Sequence, residues 1–230
     1  MDHFAKGHDR ARRSMADDAE YTVEYLDENP EELKWLSRPG KVKITYANGD
    51  TFEGDVNAAR LKHGPGKYIW TDRVDDEVKE IAWYEGDYVD GKKHGLGKMQ
   101  FPNGDVYHGQ WANDTIDGQG TLMYKNGDIF SGTYVAGIKE GKGTYEYAAD
   151  KSQLVGTWVQ NTIVDGKWLF KDGGYCTGHF ENAMPIGQCI LQLPNGLKQE
   201  GVYAKVEGVN AAGDTVLIPT WKGEAITRVF

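Results

Sequence analysis

The sequence predicts an all-β protein: an elongated single antiparallel sheet of stacked β-hairpins, with a short N-terminal helix and an extended tail. Three observations predict it. One five-residue phrase recurs as Tyr84-Glu-Gly-Asp-Tyr88, Tyr107-His-Gly-Gln-Trp111 and Phe130-Ser-Gly-Thr-Tyr134, with starts at 84, 107 and 130 and so a period of 23 residues. A Gly-x-Gly stands eleven residues into each copy, at Gly95/Gly97, Gly118/Gly120 and Gly141/Gly143. Asn103-Gly104 and Asn126-Gly127 close the first two copies, and Asn-Gly between alternating segments marks a tight hairpin turn with positive φ at both turn positions.

Taken in order, residues 1–40 form an N-terminal arm. Its first twenty residues are polar and mixed in charge, with Arg10, Arg12 and Arg13 close together, the composition of a solvated tail or of an arm that orders on a partner. Asn29-Pro-Glu-Glu32 then supplies an N-cap, a proline at the first helical position and early carboxylates, and Pro39-Gly40 stops the run. A short helix is expected near 30–37. Too short to stand alone, it must pack its apolar side on the first strands or on another protein, which makes Trp35 and Leu36 candidate docking residues.

The repeat array is expected over 41–206. Val42, Ile44 and Tyr46 alternate with polar residues up to Asn48-Gly49, and Phe52-Glu-Gly-Asp-Val56 is the first full copy, with Gly64-Pro-Gly66 one residue late. Residues 71–82 then insert about nine extra residues before Tyr84 (32 residues from Phe52 instead of 23). Asp72, Asp75, Asp76, Glu77 and Glu80 make this an acidic loop that should protrude at one turn, with Asp75 and Asp76 as candidate partner-facing residues. Later copies are degraded: Leu154-Val-Gly-Thr-Trp158, Cys176-Thr-Gly-His-Phe180 and a half-copy at Gln199-Glu-Gly-Val-Tyr203. Residues 207–230 lose the pattern and read as an extended docking tail around Val216–Trp221, with Trp221 and Lys222 as candidate contacts.

Because side chains alternate along a strand, the first, third and fifth residues of each phrase share a face. The structural residues are therefore Tyr84, Tyr107 and Phe130 in one column, Tyr88, Trp111, Tyr134 and Trp158 in another, and between them a glycine column that includes Gly86, Gly109 and Gly132. Each glycine leaves a gap that a neighbouring ring can lean into. Two uses of the columns stay open: a partner's helix or strand could lie on them, or the face could simply pack on itself.

Composition narrows the function classes. A net charge of −9 argues against nucleic acid and weakens a membrane-surface role. Over 84–150 six lysines and no arginine face ten acids, too little positive charge for a phosphoinositide patch. No apolar run approaches a spanning helix and no secretory signal precedes the first strands. Cys176 and Cys189, the only cysteines, suit a reducing compartment and read as small hydrophobes replacing an aromatic and a glycine.

No catalytic, cofactor or metal residues emerge. Gly141-Lys-Gly143 lacks the remaining residues of a phosphate-binding loop, so the Gly-x-Gly series reads as turn geometry. His63 and His94 precede Gly-x-Gly, but Asp117, Glu140, Val164 and Ile186 occupy the corresponding places, and no shared chemistry accepts all of these. The residues outside the array are too few for a catalytic domain.

The phrase Tyr-x-Gly-x-Trp/Tyr with His-Gly-x-Gly and Asn-Gly resembles the MORN repeat (membrane occupation and recognition nexus) over about 48–206, His94-Gly-Leu-Gly97 with Tyr84–Tyr88 being the nearest copy. The order of copies, the weakened Leu154–Val159 phrase and the trailing Ile218-Pro-Thr-Trp-Lys222 resemble the family of radial spoke head protein 1 and radial spoke protein 10. That resemblance implies a non-enzymatic scaffold in the axoneme of a motile cilium or flagellum, bound to other radial spoke head proteins and facing central pair projections, as a homo- or hetero-oligomer in a large complex that relays mechanical signals towards dynein arms. The alternative is a MORN adaptor at a membrane or cytoskeletal junction, associated with phosphoinositides.

Overall fold

The computed structural model describes residues 21–26, 39–74, 77–209 and 214–228. Among these, every regular element is a strand. The expected helix near 30–37, and with it Trp35 and Leu36, lies outside the described residues, as do Asp75 and Asp76. The chain divides into two compact units, residues 1–115 and 116–230.

In the first unit, strands β1 (Tyr21–Tyr25), β2 (Gly40–Tyr46), β3 (Thr51–Val56), β4 (Lys62–Val74), β5 (Glu77–Val89), β6 (Lys92–Gln100) and β7 (Val106–Ala112) pair in chain order, each antiparallel to the next. Among the described residues the sheet therefore begins at Tyr21, upstream of the expected array, with Val23 opposite Ile44 and Tyr25 opposite Val42. The insertion at 71–82 is not a loop. It lengthens β4 and β5 into one long hairpin, in which Asp72 faces Lys79, Arg73 faces Val78 and Thr71 faces Glu80. The acidic count concealed this, because basic and β-branched residues stand across from the acids and make the segment a compatible ladder.

The second unit comprises β8 (Thr115–Met123), β9 (Ile129–Val135), β10 (Ile138–Glu146), β11 (Gln153–Val159), β12 (Thr162–Leu169), β13 (Tyr175–Glu181), β14 (Met184–Gln192), β15 (Leu197–Val209) and β16 (Thr215–Arg228), again antiparallel neighbours in chain order. The degraded copies thus fold like the clear ones. The described residues of the tail, 207–209 and 214–228, are extended, and most of them form the last strand of the sheet: β16 pairs along β15 from Val209↔Thr215 to Leu197↔Arg228.

The turns differ from the expected geometry in an instructive way. At Asn48-Gly49, Asn103-Gly104 and Asn126-Gly127 only the glycine has positive φ (90°, 91° and 89°). Gly49 N–H donates to Tyr46 O and Tyr46 N–H to Asp50 O, the pattern of a type I turn closed by a glycine bulge. The asparagine stays out of the left-handed region because its side chain is engaged: Asp50 N–H donates to Asn48 Oδ1 at 3.0 Å, and Asn48 Nδ2 donates to Asp50 Oδ2 at 2.9 Å. The two-residue turns with positive φ at both positions lie inside the copies instead, at Asp90-Gly91, Asn113-Asp114, Ala136-Gly137, Gln160-Asn161 and Asn182-Ala183. None of the five is Asn-Gly, and only Asp90-Gly91 is Asp-Gly, so the sequence pattern passed over them.

The Gly-x-Gly series also resolves into two roles. The first glycine (Gly95, φ 61°; Gly141, φ 79°) sits at a β-bulge within a strand, where the register shifts between Gly86/Asp87 and Lys139/Gly143. The second glycine joins a row that crosses the strands: Gly54 opposite Gly66, Gly86 opposite Gly97 and Gly97 opposite Gly109 in the first unit. Gly132–Gly143–Gly156–Gly166–Gly178 forms the same row in the second. A Cβ on Gly54 would lie 2.5 Å from Gly66 Cα and one on Gly97 2.5 Å from Tyr84 Cε2, so only glycine lets the rings lie down on the row.

Candidate functional site

The two faces of the sheet have different chemistry. On the ring face, Tyr84, Tyr107, Phe52 and Phe130 are fully buried, and Tyr88, Trp111, Tyr134 and Trp158 are nearly so. Tyr84, Tyr107 and Phe130 each meet their own copy's second-column ring edge-on, and Phe52, Tyr84 and Phe130 meet the next copy's as well. Tyr84 stands 5.2 Å from Tyr88 and 5.3 Å from Trp111, and Phe130 stands 5.5 Å from Tyr134 and 4.9 Å from Trp158. The herringbone uses the favourable edge-to-face contact repeatedly. Polar tips find backbone partners: Trp111 and Trp158 Nε1 donate to Gly97 O and Gly143 O, and Tyr84 and Tyr107 hydroxyls donate to Asp87 O and Gln110 O.

Three lysines on this face escaped the sequence reading. Lys62, Lys93 and Lys139 lie opposite the second column, facing Val56, Tyr88 and Tyr134. Lys139 Nζ is 4.8–5.4 Å from the ring centres of Phe130, Tyr124, Tyr145 and Trp158. Lys62 Nζ is 4.1 Å from the centre of Tyr68, and Lys93 Nζ lies over Trp70, Tyr84 and Trp111. Burial lowers the amines of Lys62 and Lys139 to about 8, and it lowers Lys93 as well, against the opposing pull of Asp114. The ring faces favour the charged form and work against burial. A signal was present: two residues before the first bulge position the copies read Lys62, Lys93, Ile116, Lys139, Ile163 and Pro185. Reading one position later, through His63 and His94, missed it. His63 and His94 are exposed, with His63 Nδ1 3.6 Å from Asp90.

Two buried carboxylates fasten turns to the following hairpin. Asp50 accepts from Tyr68 Oη at 3.0 Å and Thr71 N at 2.8 Å, and Asp128 accepts from Tyr145 Oη at 2.6 Å and Ala148 N at 2.7 Å. Burial pushes the Asp128 carboxyl up, but the donors from Ala148, Tyr145 and Asn126 outweigh it and hold the group below its ordinary value.

The polar face differs between the units. In the first, a rail one residue from the glycine row alternates in sign from strand to strand: Glu24, Lys43, Glu53, Lys67, Glu85 and Lys98 lie successively opposite one another, all exposed, and His108 ends the alternation. Trp83 lies beside it on the same face, half-buried, with Lys67 Nζ 5.4 Å and Lys98 Nζ 5.7 Å from its ring centre. In the second unit the same rail reads Thr121, Ser131, Thr144 and Val155. It borders a shallow trough of about 660 Å³ floored by Gly120, Gly132, Gly143 and Gly156.

Of the other expected site residues, Trp221 is used within the sheet. Its ring stands 5.0 Å from that of Tyr203, Nε1 donates to Gln199 Oε1 at 3.0 Å, and a Cβ on Gly201 would meet it. Lys222 is exposed beside it. Cys176 and Cys189 are buried free thiols. Cys189 takes a glycine's place in the row, opposite Gly178 and Gly201, and burial pushes the Cys176 thiol up to about 12, which leaves it a poor nucleophile. Among the described residues no group of His, Cys, Asp or Glu could hold a metal ion.

The period, bulges and ring columns define a repeat architecture, and comparison with known proteins agrees: the MORN repeat model matches residues 61–73, 84–106, 107–129 and 130–149. These stretches are MORN repeats, and they point to a repeat-containing protein-interaction scaffold. No curated protein matches the chain. Among solved structures, it is similar to the SAS-4 (dCPAP) TCP domain in complex with a proline-rich motif of Ana2 (dSTIL) of Drosophila melanogaster, at 14% identity and a TM-score of 0.36, covering 85% of this chain and 97% of that one.

Proposed function

We propose that this chain is a scaffold subunit of the radial spoke head in motile cilia or flagella, holding other spoke head proteins and contributing to mechanical signalling between central pair and dynein arms. The MORN repeats support the scaffold. The finer reading rests on the resemblance of the copy order and of the Ile218–Lys222 segment. The observation that carries it is that this segment is built into the sheet: Trp221 leans on Gly201 and Tyr203 as the ring of Tyr84 leans on Gly97. The resemblance places a Pro-x-Trp-Lys segment after the repeats, and here that segment follows them as the last strand, which supports the reading.

Affinity purification of the tagged chain from isolated axonemes, followed by mass spectrometry, tests it. Co-recovery of spoke head proteins is the expected result; their absence, with normal beating in cells lacking the chain, overturns it. Liposome flotation with and without phosphoinositides distinguishes the membrane-junction alternative, in which binding is salt-sensitive.

A further inference from the structure

We propose that the polar face of the first unit is a homotypic interface, joining two copies of this chain through the alternating charge rail. The fold does not require that rail, since the second unit builds the same strands with Thr121, Ser131 and Thr144 in its place. A surface of alternating sign is complemented only by another that alternates with the same pitch. Neighbouring strands repeat about every 4.8 Å, whereas charges three or four residues apart on a helix advance about 4.5 or 6 Å and drift out of step. The face that matches this rail is the rail itself, reversed.

A two-fold axis along the strand direction between β4 and β5 sets Lys67 against Glu85 of the second copy and Glu53 against Lys98, each pair occurring twice. The same axis brings Trp83 over Ile69 of the second copy, because Ile69 and Trp83 are cross-strand neighbours two residues beyond Lys67 and Glu85. An apolar centre flanked by complementary charge is the anatomy of a specific interface. Sheet twist of about 20–25° per strand confines the match to these four central rungs.

The test is sedimentation equilibrium of the full chain at about 0.02 M and about 0.5 M salt. The expected result is a dimer at low salt that loosens at least tenfold at high salt. Lys67→Thr with Lys98→Thr, which copies the residue type of the second unit, is expected to weaken it at least tenfold, with an unchanged circular dichroism spectrum. A Lys67→Glu/Lys98→Glu chain and a Glu53→Lys/Glu85→Lys chain are each expected to be monomeric and to associate when mixed. A wild type that is monomeric at low salt, threonine variants that dimerise as wild type does, or reversed chains that fold but do not associate on mixing would each overturn the proposal.

Discussion

The two units share one strand plan and differ in how much of it is enforced by side chains. In the first, Phe52 and Tyr84 lie over Gly66 and Gly97, and the polar face carries the charge rail. In the second, Phe130 repeats that arrangement over Gly143 and Trp221 over Gly201, but Leu154 and Cys176 take the ring positions between them, and Cys189 interrupts the glycine row. The difference teaches that the register is held by the backbone row and the bulges, whereas the rings add stability where they occur. Leu154 and Cys176 remain fully buried in strands of the same register.

The sharpest way to break the comparison is to add a methyl group to the row. Gly97→Ala places Cβ 2.5 Å from the Tyr84 ring, whose hydroxyl is itself bonded to Asp87 O and cannot retreat freely. A loss of about 3 kcal/mol is expected in urea denaturation. Gly178→Ala meets Cys189 Sγ at 2.7 Å and Gln188 O at 3.0 Å, and there the nearer obstacle can be removed: Cys189→Gly in the same chain should recover part of the loss. If Gly97→Ala costs no more than an ordinary surface change, the rings do not lock the row.

Next in size is the turn carboxylate of the second unit. Asp128→Ala removes acceptors for Tyr145, Ala148 and Asn126 and is expected to cost about 2 kcal/mol. The pH dependence follows from the depressed carboxyl. Its stabilisation is complete above the unfolded carboxylate value of about 3.9 and is lost as pH falls through the lower folded value. Acid unfolding of Asp128→Ala should therefore be less steep than that of wild type.

Much of this was legible in the sequence. The period of 23 gave the repeat, and alternation gave the ring and glycine columns of Tyr84, Gly86 and Tyr88 correctly. What was not legible depended on partners distant in sequence. The insertion at 71–82 looked like an acidic loop until Lys79 and Arg73 were placed across from Asp72 and Val78. Asn48-Gly49 looked like a two-residue turn because composition does not reveal that Asn48 is engaged by Asp50. The charge rail is invisible along the chain, since its members come one from each strand and acquire alternating sign only through pairing.

The lysine column offers a smaller effect with an unusual sign. Lys139→Ile adopts the residue found at 116 and 163 and should stabilise the chain by about 1 kcal/mol near neutral pH, because it removes a buried charge whose ring contacts only partly offset desolvation. With the folded amine lowered to about 8 and the unfolded value near 10.4, the unfolded chain holds more protons between those values, so wild-type stability rises with pH across that window. Thermal melts from pH 7 to pH 10 should show the rise in wild type and a smaller one in Lys139→Ile, with Lys62 and Lys93 supplying the remainder.

The smallest effect concerns the rail within a single chain. Lys67 Nζ lies 3.9 Å from Glu85 with both side chains largely exposed, and such pairs contribute about 0.5 kcal/mol or less. Lys67→Thr should change the melting of the isolated monomer by little, the more so in salt, and the reverse exchange Thr144→Lys in the second unit should be equally mild. A large loss from Lys67→Thr at high salt would mean that the rail holds the sheet itself. A small one leaves its alternating charge free to specify what the sheet meets.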